Sequence, residues 1–147
     1  MSKKTSSILL FAYDAHMDER TMTAVDEACE QMGLARADGQ RLTFTAGGHP
    51  NLKPEDGSVA WGVLWVVPAT AMVKLDAWAK ERGLSRNVMM IICPAGPRIP
   101  ATTYFAPTAP EGAPLVPELE AVIHGARLAK LDARYVAELE AFRKVSR

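Results

Sequence analysis

Apolar residues run almost unbroken from Val59 to Val67, with two tryptophans and four valines among them. A run of this length and β-branched content predicts a strand buried on both faces. Pro68 has no N–H to continue a ladder, and Thr70 is placed to cap a helix through its side-chain oxygen. Met72, Leu75 and Ala79 follow at helical spacing with Trp78 beside them, predicting a helix over 70–82 that lays one face on the sheet and stops at Gly83. Upstream, Ser7–Tyr13 (SILLFAY) predicts a first, central strand. Asp18 is placed to cap a helix reaching Met32, with Met22, Val25, Cys29 and Met32 as its buried stripe and Gly33 as its stop.

Residues 34–45 alternate best around Arg41–Thr45 and predict a strand, with Asp38-Gly39 as a turn inside it. The Gly/Pro-rich stretch AGGHPNLKPEDG predicts a loop, with at most a short extended piece at 50–52. Residues 86–93 and 99–106 predict a strand pair joined by the turn at Pro94–Pro97. The stretch PTAPEGAPLVP (107–117) predicts an irregular crossing, and helices over 118–127 and 132–144 close the chain. The resulting order, β-α-β-β-α-β-β-α-α, predicts one α+β domain over 1–147, with a mixed, curved sheet or small β-barrel and flanking helices.

At 147 residues the chain can bury roughly 70% of its unfolded surface. Its 17 basic and 17 acidic side chains cancel, which argues against a nucleic-acid or anionic-membrane binder. Cys29 and Cys93 lack metal-type spacing and read as thiols of a reducing compartment. The apolar run after the basic N-terminus is too short for a secretory signal, so the expected location is cytoplasmic.

The WGVLW run (61–65), followed by a capped helix carrying Leu75-Asp76, resembles the gamma-glutamylcyclotransferase (AIG2-like) family. That family writes a WGV-aromatic strand, then a helix with Leu-Asp-x-x-Glu-Gly, whose Glu is the catalytic acid/base. Further matches are the loop Tyr13-Asp14-Ala15-His16-Met17, against the family's Tyr-Gly-Ser-Asn-Leu/Met, and the run Arg41–Phe44. Gly47, Gly48, Leu52, Pro54, Thr103-Tyr104 and the C-terminal spacing Gly125, Ala126, Leu131, Tyr135, Leu139 also fit. The resemblance implies a cyclotransferase-like fold and, in active members, cofactor-free cyclisation. The α-amine of a gamma-glutamyl compound attacks its side-chain carbonyl and releases 5-oxoproline and an amine. A carboxylate moves the protons, and backbone N–H groups of the loop after the first strand hold the oxyanion.

This chain departs from the pattern at both places. Ala79 stands at the Glu position, and Gly, Ser and Asn of the loop are Asp14, Ala15 and His16. Asp14 puts a carboxylate where substrate negative charge would collect. The first reading is therefore a protein that has lost the cyclisation and binds a small, gamma-glutamyl or amino-acid-like molecule in the retained cleft. That cleft would be lined by Tyr13, Asp14, Ala15, His16, Met17, Ala79 and Tyr104, with no metal and no cofactor. The alternative is an active gamma-glutamyl (amine) cyclotransferase using Glu81 or His16 as substitute base. Against Glu81 stands its position about 200° around the helix from Ala79. A third reading, an interaction module, draws on the Pro-rich crossing and the last helices. His49 could reach the same cleft, His124 is expected at the surface, Trp61, Trp65 and Trp78 in the core, and a homodimer is compatible with the sequence.

Overall fold

In the computed structural model, which describes residues 7–147, five strands close into a barrel in the order β1-β3-β2-β4-β5. The strands are β1 (Ser7–Ala12), β2 (Glu30–Phe44), β3 (Pro50–Pro68), β4 (Ser85–Ile92) and β5 (Arg98–Phe105). The helices are α1 (Glu19–Val25), α2 (Ala69–Glu81), α3 (Val116–Leu128) and α4 (Ala133–Ala141), with 3-10 turns at Ala15–Met17 and Phe142–Val145. All pairings are antiparallel except the closing one, where β1 lies parallel to β5 with Leu10 opposite Thr102. Thr103 Oγ1 reinforces that seam by donating to Phe11 O at 2.8 Å.

The apolar strand stretches behave as their composition dictates. β3 lies between β1 and β2, with Trp65 opposite Leu10 and buried, together with Phe11, Val63 and Val67. Gly62 is required at this crossing: a Cβ there would stand 2.3 Å from Ala12 O and 2.8 Å from the Phe11 ring. α2 buries Ala71, Met72, Leu75 and Ala79 against the barrel. α3 and α4 cover it elsewhere through Leu119, Val122, Ile123, Tyr135 and Leu139. Asp132 caps α4 by accepting from Arg134 N. No helix among the described residues is long and apolar enough to cross a membrane.

Four local expectations need correction. The helix after Asp18 ends at Val25, and by Glu30 the chain is already strand β2, with Met32 57% exposed. Cys29 therefore precedes a strand rather than lining a helix, and Gly33 (φ 121°) sits at a bulge opposite β3. Residues 50–57 are not loop: β3 begins at Pro50, and Pro50–Pro54 pair with Gln40–Phe44. Asp38-Gly39 is a register shift within continuous β2, because Glu55–Ser58 bulge out across from it. Thr70 does not cap α2; Pro68 holds the N-cap position, and the Thr70 hydroxyl donates to Asp26. Pro68 serves because its missing N–H is one that a helix start leaves unpaired anyway.

Candidate functional site

The loop leaving β1 folds around its own aspartate. Asp14 caps the 3-10 turn, its Oδ1 accepting from His16 N at 2.9 Å and lying 3.1 Å from His16 Nδ1. Asp14 is 8% and His16 6% exposed. Burial by itself would raise the Asp14 carboxyl, but the His16 charge and hydrogen bonds hold it below its ordinary range. Burial would likewise lower the His16 ring, yet Asp14 outweighs it and the ring's pKa is raised. The two form a desolvated ion pair. An ionised carboxylate only accepts, so Nδ1 carries the shared proton and Nε2 is the nitrogen left for other chemistry. Nε2 has no hydrogen-bond partner among the described residues.

Two tyrosines frame the pair. Tyr13 OH donates to Tyr104 O at 2.5 Å, and Tyr104 OH donates to Asp76 Oδ1 at 2.6 Å. Asp76 is in turn bridged by Arg86. Burial first, then neighbouring Asp14, drives the Tyr13 hydroxyl well above its usual pKa; burial and Asp76 do the same for Tyr104. Both phenols are fixed donors and hold their protons. Met17 is buried under α3, which comes close because residue 125 is glycine; a Cβ there would stand 3.2 Å from Met17 Cβ.

α2 supplies the opposite wall, and here the structure departs from the cleft expected. Trp78, not Ala79, faces the loop: the His16 and Trp78 rings meet edge-to-face with centroids 4.6 Å apart. Ala79 is 1% exposed and lies within the core. The space enclosed by Leu10–Asp14, His16, Leu75, Trp78, Thr103 and Tyr104 is about 10 Å³. That is room for no more than about one water. The retained ligand cleft is thus closed in this structure, because an indole and an imidazole fill it. Neither Ala15, Met17, Ala79 nor Glu81 lines what remains. The Glu81 side chain is 78% exposed at the helix end, with Arg82 at 3.7 Å as its ionic neighbour.

Behind Trp78 lies a group that the sequence did not bring together. The Arg82 guanidinium sits 4.5 Å over the indole, and its Nη1 donates to Trp78 O at 3.1 Å. Arg82 Nε approaches Glu118 Oε1 at 3.4 Å, and the same oxygen lies 2.6 Å from His49 Nδ1. The spacing of Trp78 and Arg82, four apart on one helix, was a visible signal. Glu118 and His49 come from the start of α3 and the β2–β3 turn, and only the closed fold joins them. His49 thus reaches the back of the cleft wall, not its interior. His124 is exposed, 3.9 Å from Asp18.

A far larger concavity, of about 960 Å³, opens elsewhere, between α4 and the β2–β3 ribbon. Trp61, Tyr135, Leu139 and Phe142 line it, with Arg41, Glu55, Arg134 and Glu138 among its charged groups. Among the described residues, no group of three or more His, Cys, Asp or Glu side chains is arranged to hold a metal ion.

The same topology occurs in solved structures. One described as a gamma-glutamyl cyclotransferase superposes with a TM-score of 0.83 at 20% identity, covering 92% of this chain and 88% of its own. The human protein loc79017 gives 0.82 at 18% identity, with 92% and 87% covered. YkqA from Bacillus subtilis gives 0.78 at 22% identity, with 97% of this chain but 56% of YkqA covered. At these identities the likeness is one of fold. Among curated proteins there is no sequence match. Residues 10–120 match the family described as "Gamma-glutamyl cyclotransferase, AIG2-like". With most of its length matched and the barrel in common, the chain belongs to the gamma-glutamyl cyclotransferase, AIG2-like family.

Proposed function

We propose that this chain is a cyclotransferase-like protein that does not make 5-oxoproline by the family's route, and that its site works around the His16–Asp14 pair as a small-ligand site. One observation carries this reading: the Asp14 carboxylate itself takes up a loop N–H and the neighbouring imidazole. In the resemblance set out above, loop N–H groups serve a substrate oxyanion. Here an internal carboxylate occupies His16 N, and a second negative charge beside it would be repelled. Ala79 removes the acid/base group as well, a contribution on the order of 10²–10⁴ in rate. A ligand has to displace Trp78 to enter, and a compact amino-acid-like molecule fits that demand better than a long peptide. The free thiols Cys29 and Cys93 are in keeping with a cytoplasmic location.

A second reading has its own support. With Nδ1 committed to Asp14, His16 is an oriented ring lining the cleft, with Nε2 left to act as acid or base. In that case the protein transfers protons through His16 rather than through a carboxylate on α2.

The experiment is 5-oxoproline release from gamma-glutamyl dipeptides and gamma-glutamyl amines. No release above the uncatalysed rate is expected. Release by the unsubstituted protein that vanishes in His16→Ala would overturn the first reading and establish the second.

A further inference from the structure

We propose that Arg82 is a positioning residue for His16: its guanidinium, seated on Trp78 and tethered by Glu118, holds the indole against the imidazole and keeps the cleft shut. The inference builds on the reading of His16–Asp14 as the working pair, and extends the site to four residues outside it: Trp78, Arg82, Glu118 and His49.

The geometry is a chain of contacts with no spare step. His16 meets the edge of Trp78, Arg82 covers the indole at 4.5 Å, and Glu118 stands 3.4 Å from Arg82 Nε. His49 then fixes Glu118 at 2.6 Å. The indole is therefore caught between a ring and a cation, and cannot swing without breaking the stack. Arg82 Nε is sealed from solvent without a hydrogen bond, so the tether to Glu118 is one of charge. Sealing a guanidinium nitrogen in this way is costly for mere packing, which an apolar side chain would supply more cheaply. Glu118 lies in the first turn of α3, where the helix dipole favours a carboxylate. His49 lies in a turn pressed onto that helix start, with Gly48 so close that a Cβ would stand 2.5 Å from Leu115. Three elements thus meet in the chain of contacts from Trp78 through Arg82 and Glu118 to His49.

The arrangement also sets the field at the imidazole. The charged groups acting on His16 are Asp14 from its own loop, Arg82 from the end of α2 and Glu118 from the start of α3. Asp14 and Glu118 favour the protonated ring, and Arg82 opposes it. A planar cation stacked on the indole does two things that a generic packing residue would not. It orients the wall that His16 touches, and it moderates that ring's proton affinity.

The test uses the full chain without substrate, following exchange of the His16 ring C2–H by mass spectrometry across pH. The midpoint reports the ring pKa, and the plateau rate reports access to water. Arg82→Ala should raise the His16 pKa and speed plateau exchange about threefold or more, as the wall loosens. Arg82→Lys keeps the charge and loses the planar stack, so its pKa should stay near the parent value while exchange remains fast. Glu118→Gln should lower the pKa. Arg134→Ala, a groove substitution, should change neither. The proposal is overturned if Arg82→Ala lowers thermal stability yet leaves the His16 midpoint or plateau unchanged, since that describes a structural tie alone. Should Arg82→Ala fail to fold, unchanged behaviour in both Arg82→Lys and Glu118→Gln overturns it equally. Because no turnover is measured, detection of 5-oxoproline would count against the function proposed above without touching this result.

Discussion

Two concave regions of this molecule divide between them what an active site normally combines. The cleft at the end of β1 has the chemistry: a desolvated aspartate–histidine pair, two fixed phenols and an indole, around about 10 Å³ of space. The groove beneath α4 has the room, about 960 Å³, but its charges stay hydrated. Arg41 in that groove pairs with Glu55 and Glu111, each of them well exposed. Exposed pairs of this kind contribute about 0–1 kcal/mol. Breaking a buried pair costs several times that, because the surviving charge is left in a low dielectric. Volume alone would direct attention to the groove, whereas desolvated charge directs it to the closed cleft. In this fold the second criterion coincides with the loop on which the family resemblance places the chemistry.

Removing Asp14 should break the contrast most severely. Asp14→Ala strips the imidazole of its counter-charge and leaves His16 N without its acceptor. The expected loss is about 3 kcal/mol in denaturant unfolding, against under about 1 kcal/mol for Arg41→Ala in the groove. Equal losses in the two variants would show that the cleft pair is solvated in the folded protein, and the contrast would collapse.

The pH dependence sharpens the same comparison. The Asp14 carboxyl is lowered on folding, so its contribution is present above the unfolded value near 4 and is lost as pH falls through the lowered folded value. The His16 ring is raised on folding, so its contribution is full below about 6.5 and is lost as pH climbs through the raised folded value. The pair therefore stabilises most between about pH 4 and about pH 6.5. The melting temperature of the parent minus that of His16→Ala should peak in this window and shrink toward mildly alkaline pH. The corresponding difference for Arg41→Ala should stay flat from about pH 6 into mildly alkaline pH, because neither guanidinium nor carboxylate titrates there. A His16 difference that is constant with pH would mean that the folded ring binds its proton over the same range as the unfolded one, and that Asp14 does not raise it.

Much of the framework was legible in local pattern. Val59–Val67 and Ile8–Ala12 had nothing polar to expose, so they had to be interior strands, and Met72, Leu75 and Ala79 could share a face only on a helix. The failures arose where tertiary pairing overrode local preference. Met22, Val25, Cys29 and Met32 fit a helical stripe, but the Glu30–Asp38 ladder with Val66–Val59 drew the chain into β2 and left Met32 facing out. Residues 50–57 read as loop because Gly, Pro and charge dominate them. Yet Asn51 is wholly buried, its side chain bonding both Ala106 N and Ala106 O, which ties β3 to the chain where it leaves β5. In the site, the loop 13–17 and the missing carboxylate at Ala79 could be read from the resemblance. That Trp78 would turn inward and close the cleft could not, since a tryptophan at that spacing serves core, surface or wall alike. The Glu118–His49 contact spans 69 residues and existed in no window of the sequence.

The smallest expected effect concerns Glu81, the carboxylate nearest in sequence to the missing catalytic one. Its side chain is mostly exposed, and its contact with Arg82 at 3.7 Å is long for an ion pair. Arg82 is already committed to Trp78 and Glu118, so Glu81 competes for a cation held elsewhere. An i,i+1 neighbour on a helix end does not share a face with it and gains little from the charge. Glu81→Ala should therefore change unfolding stability by no more than about 0.5 kcal/mol. The His16 ring should titrate as in the parent, since Glu81 is not among the charges acting on it. Thermal melts and the same C2–H exchange measurement check both statements together. A stability loss above about 1.5 kcal/mol, beyond what a surface substitution gives, would mean that Glu81 folds inward in solution. A carboxylate would then stand beside Trp78, and the acid/base group missing at Ala79 would have a substitute two residues along the chain.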